Sequence, residues 1–231
     1  MEYGVVGNCK SAALIDRKGT VVWCCLPDFD SGSAFAALLD AEQGGAFGIE
    51  VDASYTVTQA YIPNTNVLRT VYESPQGVFE LIDLMPRHRE NSHYYAPPEL
   101  LRLLRLTRGA PVFTVRYQPR LGYARHETVS ESHVDFIKSR VTDGPYESLY
   151  LYTNLPHADV LEARPITLDE DAFLLLSYHQ KLRPITLERV ILEVERTKVY
   201  WLDWVERTIP CERWNAEIRR SALVLKLLSY Q

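Results

Sequence analysis

The sequence has 231 residues, of which 46% are hydrophobic and 24% charged, the composition of an ordinary folded protein with a sizeable core. Lysine and arginine total 25 against 30 aspartate and glutamate, so the formal net charge is −5, which argues against nucleic acid or a polybasic membrane contact. No apolar run is long enough to span a bilayer, and the N-terminal residues lack the pattern of a signal peptide. These features predict a soluble, cytoplasmic protein.

Short apolar segments separated by turn residues continue to about residue 183, which is typical of an all-β sandwich or barrel. The first two form a hairpin, residues 12–15 and 20–25, around a turn at 16–19. A short helix is predicted over residues 33–39, capped by Ser31 or Ser33. Further strands are predicted at residues 55–62, 66–73, 78–84, 111–118, 133–140, 149–153, 163–168 and 172–178.

Two apolar segments are interpreted as strands. Residues 100–106 fit both a helical and a strand pattern, and we interpret them as a strand because the turn residues 107–111 follow directly. Residues 173–176, Phe-Leu-Leu-Leu, are apolar on both faces of a strand. That pattern is typical of an inner strand between stacked layers.

The pattern becomes helical after Pro184. A first helix is predicted over residues 187–207 and a second over 213–230, whose apolar stripe contains Trp214, Ile218, Ala222, Leu225 and Leu228. Residues 223–228 are apolar around most of the helix, so neighbours are needed to cover them. Two explanations remain open: the helix packs on its own sandwich or in a homodimer, or it begins a further helical domain.

The sequence contains no strong catalytic or metal-binding motif. The four cysteines, Cys9, Cys24, Cys25 and Cys211, lack C-x-x-C spacing and are predicted to be buried free thiols rather than disulfides or zinc ligands. The six histidines are scattered without a metal-specific spacing. We therefore predict neither a metal site nor a cofactor.

Paired carboxylates are considered because two of them can catalyse glycoside hydrolysis. Asp28 and Asp30 are two residues apart, so in an extended chain their side chains point to opposite sides. They fit hydrogen bonds within the loop or at a helix cap better than a shared acid–base role, and ligand contact remains the alternative. No catalytic residue is assigned.

Eight segments of the sequence carry a resemblance to known proteins: residues 7–31, 35–40, 44–47, 64–70, 83–87, 117–123, 201–204 and 220–228. In order along nearly the whole chain, they resemble the bacterial and archaeal members of glycoside hydrolase family 15 that carry a trehalase-like N-terminal domain. The chain departs from the family's usual pattern at Asp28, where Arg is frequent, and at Gly32, where Pro is common.

The resemblance implies an N-terminal β-supersandwich, a helical linker and a C-terminal (α/α)6 barrel. It places the sandwich at residues 1–183, the linker at 184–210 and the first barrel helix at 211–231. The family hydrolyses α-linked glucosides with inversion, through two glutamates of the barrel, one protonating the glycosidic oxygen and one activating water. Those glutamates lie beyond residue 231, so this chain alone is predicted to be inactive.

The main hypothesis is a non-catalytic domain that supports the barrel, its expected partner. Its loop of Asp28, Phe29, Asp30 and Ser31 is the candidate rim of a pocket for an α-glucan or trehalose. One alternative is a free-standing carbohydrate-binding module, and another is a structural domain that self-associates through residues 213–230. The module would use aromatic stacking, with Tyr55, Tyr61, Tyr94, Tyr95 and Tyr123 as the candidate platform.

Overall fold

The computed structural model describes residues 2–210 and 212–230, and within them the chain forms seventeen strands and three helices. The strands are β1 (Tyr3–Gly7), β2 (Ala12–Asp16), β3 (Val21–Cys25), β4 (Ser33–Phe35), β5 (Phe47–Glu50), β6 (Thr56–Tyr61), β7 (Leu68–Glu73), β8 (Gly77–Leu84), β9 (His88–Glu90), β10 (His93–Tyr95), β11 (Glu99–Gly109), β12 (Val112–Tyr117), β13 (Thr128–Ser132), β14 (Ile137–Val141), β15 (Ser148–Thr153), β16 (Pro165–Thr167) and β17 (Ala172–Tyr178). The helices are α1 (His157–Leu161), α2 (Leu187–Glu206) and α3 (Asn215–Leu228).

Two antiparallel sheets stack on each other. Among the described strands, sheet A has the order β1-β2-β3-β5-β12-β16 with β4 beside β3, and sheet B has the order β13-β14-β15-β17-β11-β8-β7-β6. Alternate residues of both sheets meet in the main core, where Phe113 of sheet A contacts Phe79 of sheet B with 5.5 Å between ring centroids. The predicted mainly antiparallel β-sandwich is confirmed.

The central strands of sheet B are buried on both faces, which explains the most apolar segments of the sequence. β17 lies between β15 and β11; its Leu174 and Leu176 face the main core, whereas Phe173 and Leu175 belong to a second core on the outer face. The inner-strand prediction for 173–176 is confirmed. The strand interpretation of residues 100–106 is also confirmed, because they form part of β11.

The first long helix, α2, covers the outer face of sheet B, and the second, α3, packs against β1 and α2. α2 begins after Thr186, whose side-chain oxygen accepts a hydrogen bond from the Arg189 N–H, as a helix N-cap does. Its buried residues Val190, Val194 and Trp201 join Phe173 and Leu175 of the sheet in the second core. Both predicted helices are confirmed within a few residues. The domain boundaries at 183/184 and 210/211 stay predictions.

α3 buries only one narrow side. Leu223 and Leu227 are 1% and 0% exposed and belong to the second core. Most of the apolar stripe read from the sequence instead faces outward, with Trp214 exposed by 72% and Leu225 by 68%. A helix of this composition is normally covered by neighbours on that side as well.

The helix predicted over residues 33–39 is wrong. Residues 33–35 form β4, which pairs with β3 so that Phe35 lies opposite Cys24. The N–H groups of Ala36 and Ala37 then donate to the carbonyls of Gly44 and Gly45, at 2.7 and 3.0 Å. Because these backbone groups bond across to a neighbouring segment, they are not available for an α-helix at 33–37, and only turns follow.

Two strand predictions in the second half of the sandwich need correction. Of the single strand expected at 133–140, residues 133–136 form the turn of a hairpin between β13 and β14, and only residues 137–140 belong to a strand, β14. The strand expected at 163–168 is shorter, since Ala163 has a left-handed φ of 51° and only β16 pairs with β12. A short helix, α1, precedes it at a site where the sequence predicted none.

Candidate functional site

The predicted rim residues lie in the loop that connects β3 to β4, residues 26–32, here called the rim loop. The Leu26 N–H donates to the Gly32 carbonyl at 3.4 Å and closes the loop. Inside it, the Asp28 N–H donates to Ser31 Oγ at 3.1 Å and the Ser31 N–H donates to the Asp28 carbonyl at 3.2 Å. Asp and Ser favour such turns because their side chains bond the local backbone.

The two aspartates of the rim loop differ in exposure. Asp28 is half-buried, and its Oδ1 accepts a hydrogen bond from the Tyr230 hydroxyl at 3.1 Å. This bond, together with the negative charge of Asp28, raises the pKa of Tyr230. Asp30 is exposed, and Phe29 and Ser31 are half-buried. The contact with Tyr230 places the rim loop beside the segment that follows α3.

A second loop, residues 121–125, packs against the rim loop. Gly122 and Gly32 approach closely, since a Cβ added at Gly32 would lie 3.2 Å from the Gly122 Cα. The Tyr123 hydroxyl lies 3.7 Å from Cys25 Sγ at the end of β3, and its ring centroid lies 5.8 Å from that of Trp23. The two loops therefore form one surface with an aromatic pair at its edge.

Glu147 lies beneath the point where these two loops meet. Its Oε1 would be 3.6 Å from a Cβ at Gly32 and 3.4 Å from a Cβ at Gly122. Its Oε2 is enclosed and makes no hydrogen bond to the described residues. Next to it, burial lowers the pKa of His179, and the charge of Glu147 opposes that shift. Sequence reasoning missed Glu147 because only the packing of the two loops brings it there.

The five tyrosines proposed as a stacking platform do not form a single exposed surface. Tyr55 is buried and its hydroxyl accepts a hydrogen bond from the Val112 N–H at 2.9 Å, so it offers no face to a ligand. The Tyr61 ring is covered by the Arg220 guanidinium at 3.9 Å from its centroid. Tyr94 and Tyr95 lie on β10, whereas Tyr123 lies beside the rim loop.

A buried acidic cluster, not predicted from the sequence, lies between sheet B and α2. Glu99 of β11 is 2% exposed and Glu193 of α2 is 7% exposed. Glu193 Oε2 lies 3.3 Å from His88 Nδ1, and the Arg196 guanidinium is 3.5 Å from Glu193 Oε1. Burial raises the pKa of Glu99 to about 7, while the positive charge of Arg189 opposes this and Glu193 adds to it. The cluster joins the helix to the sandwich.

The remaining sequence predictions concern thiols, metals and membranes. Cys9, Cys24 and Cys25 are buried free thiols, as predicted, and burial raises the pKa of each; Cys211 lies outside the described residues. In the described part of the chain, no group of three or more His, Cys, Asp or Glu side chains is arranged to hold a metal ion. Across residues 2–210 and 212–230, no helix combines the length and apolar character needed to cross a bilayer.

Comparison with known proteins identifies the family. The family described as "Trehalase-like, N-terminal" matches residues 2–150. A trehalase of Mycolicibacterium smegmatis is 29% identical over 257 aligned positions, which cover 99% of this chain and 38% of that protein. A trehalase of Mycobacterium tuberculosis is 27% identical, with coverage of 99% and 37%.

A further relative is similar over a shorter region. Trehalase 1 of Sulfolobus acidocaldarius is 43% identical over 84 positions, or 36% of this chain and 14% of that protein. The chain thus spans less than two fifths of the length of the curated relatives it matches. Because the family match covers more than half of the chain, this protein belongs to the trehalase-like N-terminal domain family.

Proposed function

We propose that this chain is the non-catalytic β-sandwich portion of an inverting family 15 glycoside hydrolase that acts on an α-linked glucoside such as trehalose. The observation that carries the proposal is the similarity to trehalases over 99% of this chain but only 38% of the relative. The chain therefore aligns with a portion of that trehalase and not with its whole length, as a supporting domain would. The catalytic (α/α)6 barrel is its partner in the whole protein.

The exposed side of α3 supports a barrel docked against it. Ile218, Leu225 and Leu228 are exposed by 42%, 68% and 51%, although Leu223 and Leu227 on the other side are fully packed. Removing such apolar area from water stabilises an interface by roughly 25 cal/mol per Å². The barrel covers this side and thereby joins the sandwich to the catalytic part.

The described carboxylates support an inactive domain. An inverting hydrolase holds two carboxyl groups on opposite sides of an accessible glycosidic bond, with room for a water molecule. Glu99 and Glu193 form a pair that is enclosed beneath α2, and Glu193 lies 3.3 Å from His88 and 3.5 Å from Arg196. A structural role for this pair fits hydrolysis by the partner domain.

Two finer features complete the proposal. The rim loop, with Asp28, Phe29, Asp30 and Ser31, borders the substrate pocket, and its support is the bond from Tyr230 just after α3 to Asp28. The enzyme works in the cytoplasm, which fits three buried free cysteines in the described chain, since unpaired thiols are typical of a reducing compartment.

A domain exchange tests the proposal. In the Mycolicibacterium smegmatis trehalase, the part that aligns with this chain is deleted and then replaced by this chain. We expect the deletion to abolish soluble, active enzyme and the replacement to restore trehalose hydrolysis. The matched control is a replacement that carries Leu227→Ala, which weakens α3 packing. A deleted protein that keeps full activity would contradict the supporting role.

A further inference from the structure

Tyr123 has an unusual backbone conformation beside the rim loop. Gly122, Tyr123 and Ala124 have φ values of 59°, 62° and 55°, three consecutive residues in the left-handed region. Glycine adopts this region freely, but a bulky side chain does so rarely, and such strain concentrates where a site requires it. The loop keeps a tyrosine at a position where glycine or asparagine would be less strained.

The surroundings of Tyr123 hold the ring and leave it partly exposed. It is tilted by 50° against Trp23, its hydroxyl contacts Cys25 Sγ, and the Arg125 guanidinium lies 5.9 Å from its ring centroid, yet the residue remains 39% exposed. Trp23 is also only half-buried. A fixed aromatic ring that stays partly exposed suits the flat, apolar face of a pyranose ring.

Hydrogen-bond acceptors lie in the rim loop and below the two loops. The rim loop adds the exposed carboxylate of Asp30 and the half-buried carboxylate of Asp28. Below the two loops lies Glu147, whose Oε2 has no hydrogen-bond partner among the described residues. Glu147 is half-buried as a residue, and its carboxylate accepts hydrogen bonds from hydroxyl donors.

We propose that Tyr123, Trp23 and the rim loop form a binding subsite for a glucopyranosyl unit, with Tyr123 stacking on the sugar and Glu147 accepting a hydroxyl. The proposal rests on the proposed function and adds the residues through which this domain contacts an α-glucoside. It assigns sugar binding to the rim loop and the loop at 121–125, and not to the five tyrosines considered in the sequence analysis.

The test is a titration of the purified chain with trehalose and with maltose, followed by amide chemical shifts, with sorbitol as an acyclic polyol control. We expect saturable shifts at residues 28–31 and 122–124 for both sugars and none for sorbitol. Tyr123→Asn, which suits the left-handed backbone, is expected to weaken binding about tenfold without lowering Tm. Glu147→Gln is expected to weaken it less.

The matched control is Tyr3→Asn, because Tyr3 is 38% exposed and lies on β1 at the edge of sheet A. This variant is expected to bind as the original chain does. Shifts that map elsewhere, no saturable shift, or unchanged binding by Tyr123→Asn would overturn the subsite. The domain exchange is a separate readout, so active chimeras without sugar binding by the chain would refute the subsite and leave the proposed function standing.

Discussion

Replacing Arg102 with methionine is predicted to cause a large loss of stability. Arg102 and Asp83 face each other across β11 and β8, both 0% exposed, with Arg102 Nε 2.7 Å from Asp83 Oδ1. The same guanidinium donates from Nη1 to the Phe47 carbonyl of sheet A at 2.6 Å and from Nη2 to the Gly19 carbonyl. One side chain therefore links the two sheets through the middle of the core.

The magnitude follows from what the substitution leaves behind. Arg102→Met removes the charge that compensates Asp83 and leaves two buried carbonyls without these donors, although methionine fills part of the volume. Breaking a buried ion pair on one side costs about 3–5 kcal/mol. Since folded domains are stable by roughly 5–15 kcal/mol, we expect a shift that is easily measured in urea unfolding by tryptophan fluorescence.

A matched control lies on the same strand. Arg108 pairs with Glu73 at 3.1 Å, but both side chains are more than half exposed, at 58% and 61%. Arg108→Met is expected to change the free energy of unfolding by less than about 1 kcal/mol, because solvent screens an exposed pair. Equal losses in Arg102→Met and Arg108→Met would refute the reasoning that the buried link is the stronger one.

Two further predictions concern the junction of the helices with the sandwich. Because the pKa of Glu99 rises from 4.5 to about 7 on folding, the folded protein binds more protons than the unfolded chain between these values, and its stability falls as the pH rises through them. Glu99→Gln removes this dependence and is expected to raise the free energy of unfolding at pH 8 by up to about 3 kcal/mol. Urea unfolding from pH 5 to pH 8 measures the effect, and a pH profile of stability that the substitution leaves unchanged would contradict the prediction. Leu227→Ala is expected to lower the free energy of unfolding by about 2–5 kcal/mol, and Leu225→Ala by less than about 0.5 kcal/mol in this chain. Equal losses in thermal unfolding would contradict the assignment of Leu227, and not Leu225, to the packed side of α3.

Local sequence patterns predicted the elements that repeat one pattern over several residues. The periodicity of residues 187–207 predicted α2, and the apolar residues on both faces of 173–176 predicted an inner strand. The helix prediction for 33–39 was wrong because a local pattern does not show that this segment bonds to the backbone of Gly44 and Gly45. For the same reason, the pattern of α3 revealed an apolar helix but not that Leu223 and Leu227 are its packed residues.

The candidate site was predictable only in part. The spacing of Asp28 and Asp30 argued against a shared role, which stays a prediction; only the structure shows that Asp28 bonds Tyr230 and that Asp30 is exposed. The left-handed Tyr123 and the enclosed oxygen of Glu147 depend on how two distant loops meet. Likewise, Glu99 and Glu193 become neighbours only when α2 packs on sheet B, so no spacing in the sequence indicates the pair.

Glucose release by the purified 231-residue chain tests the central claim most directly. The chain is incubated with trehalose, maltose and isomaltose, and glucose is measured at intervals beside a complete trehalase. The proposed non-catalytic role predicts a rate no greater than that of a buffer blank for all three sugars. Steady turnover by the chain, abolished by a single substitution such as Asp28→Asn or Glu147→Gln, would show that the bond-breaking residues lie in the sandwich itself.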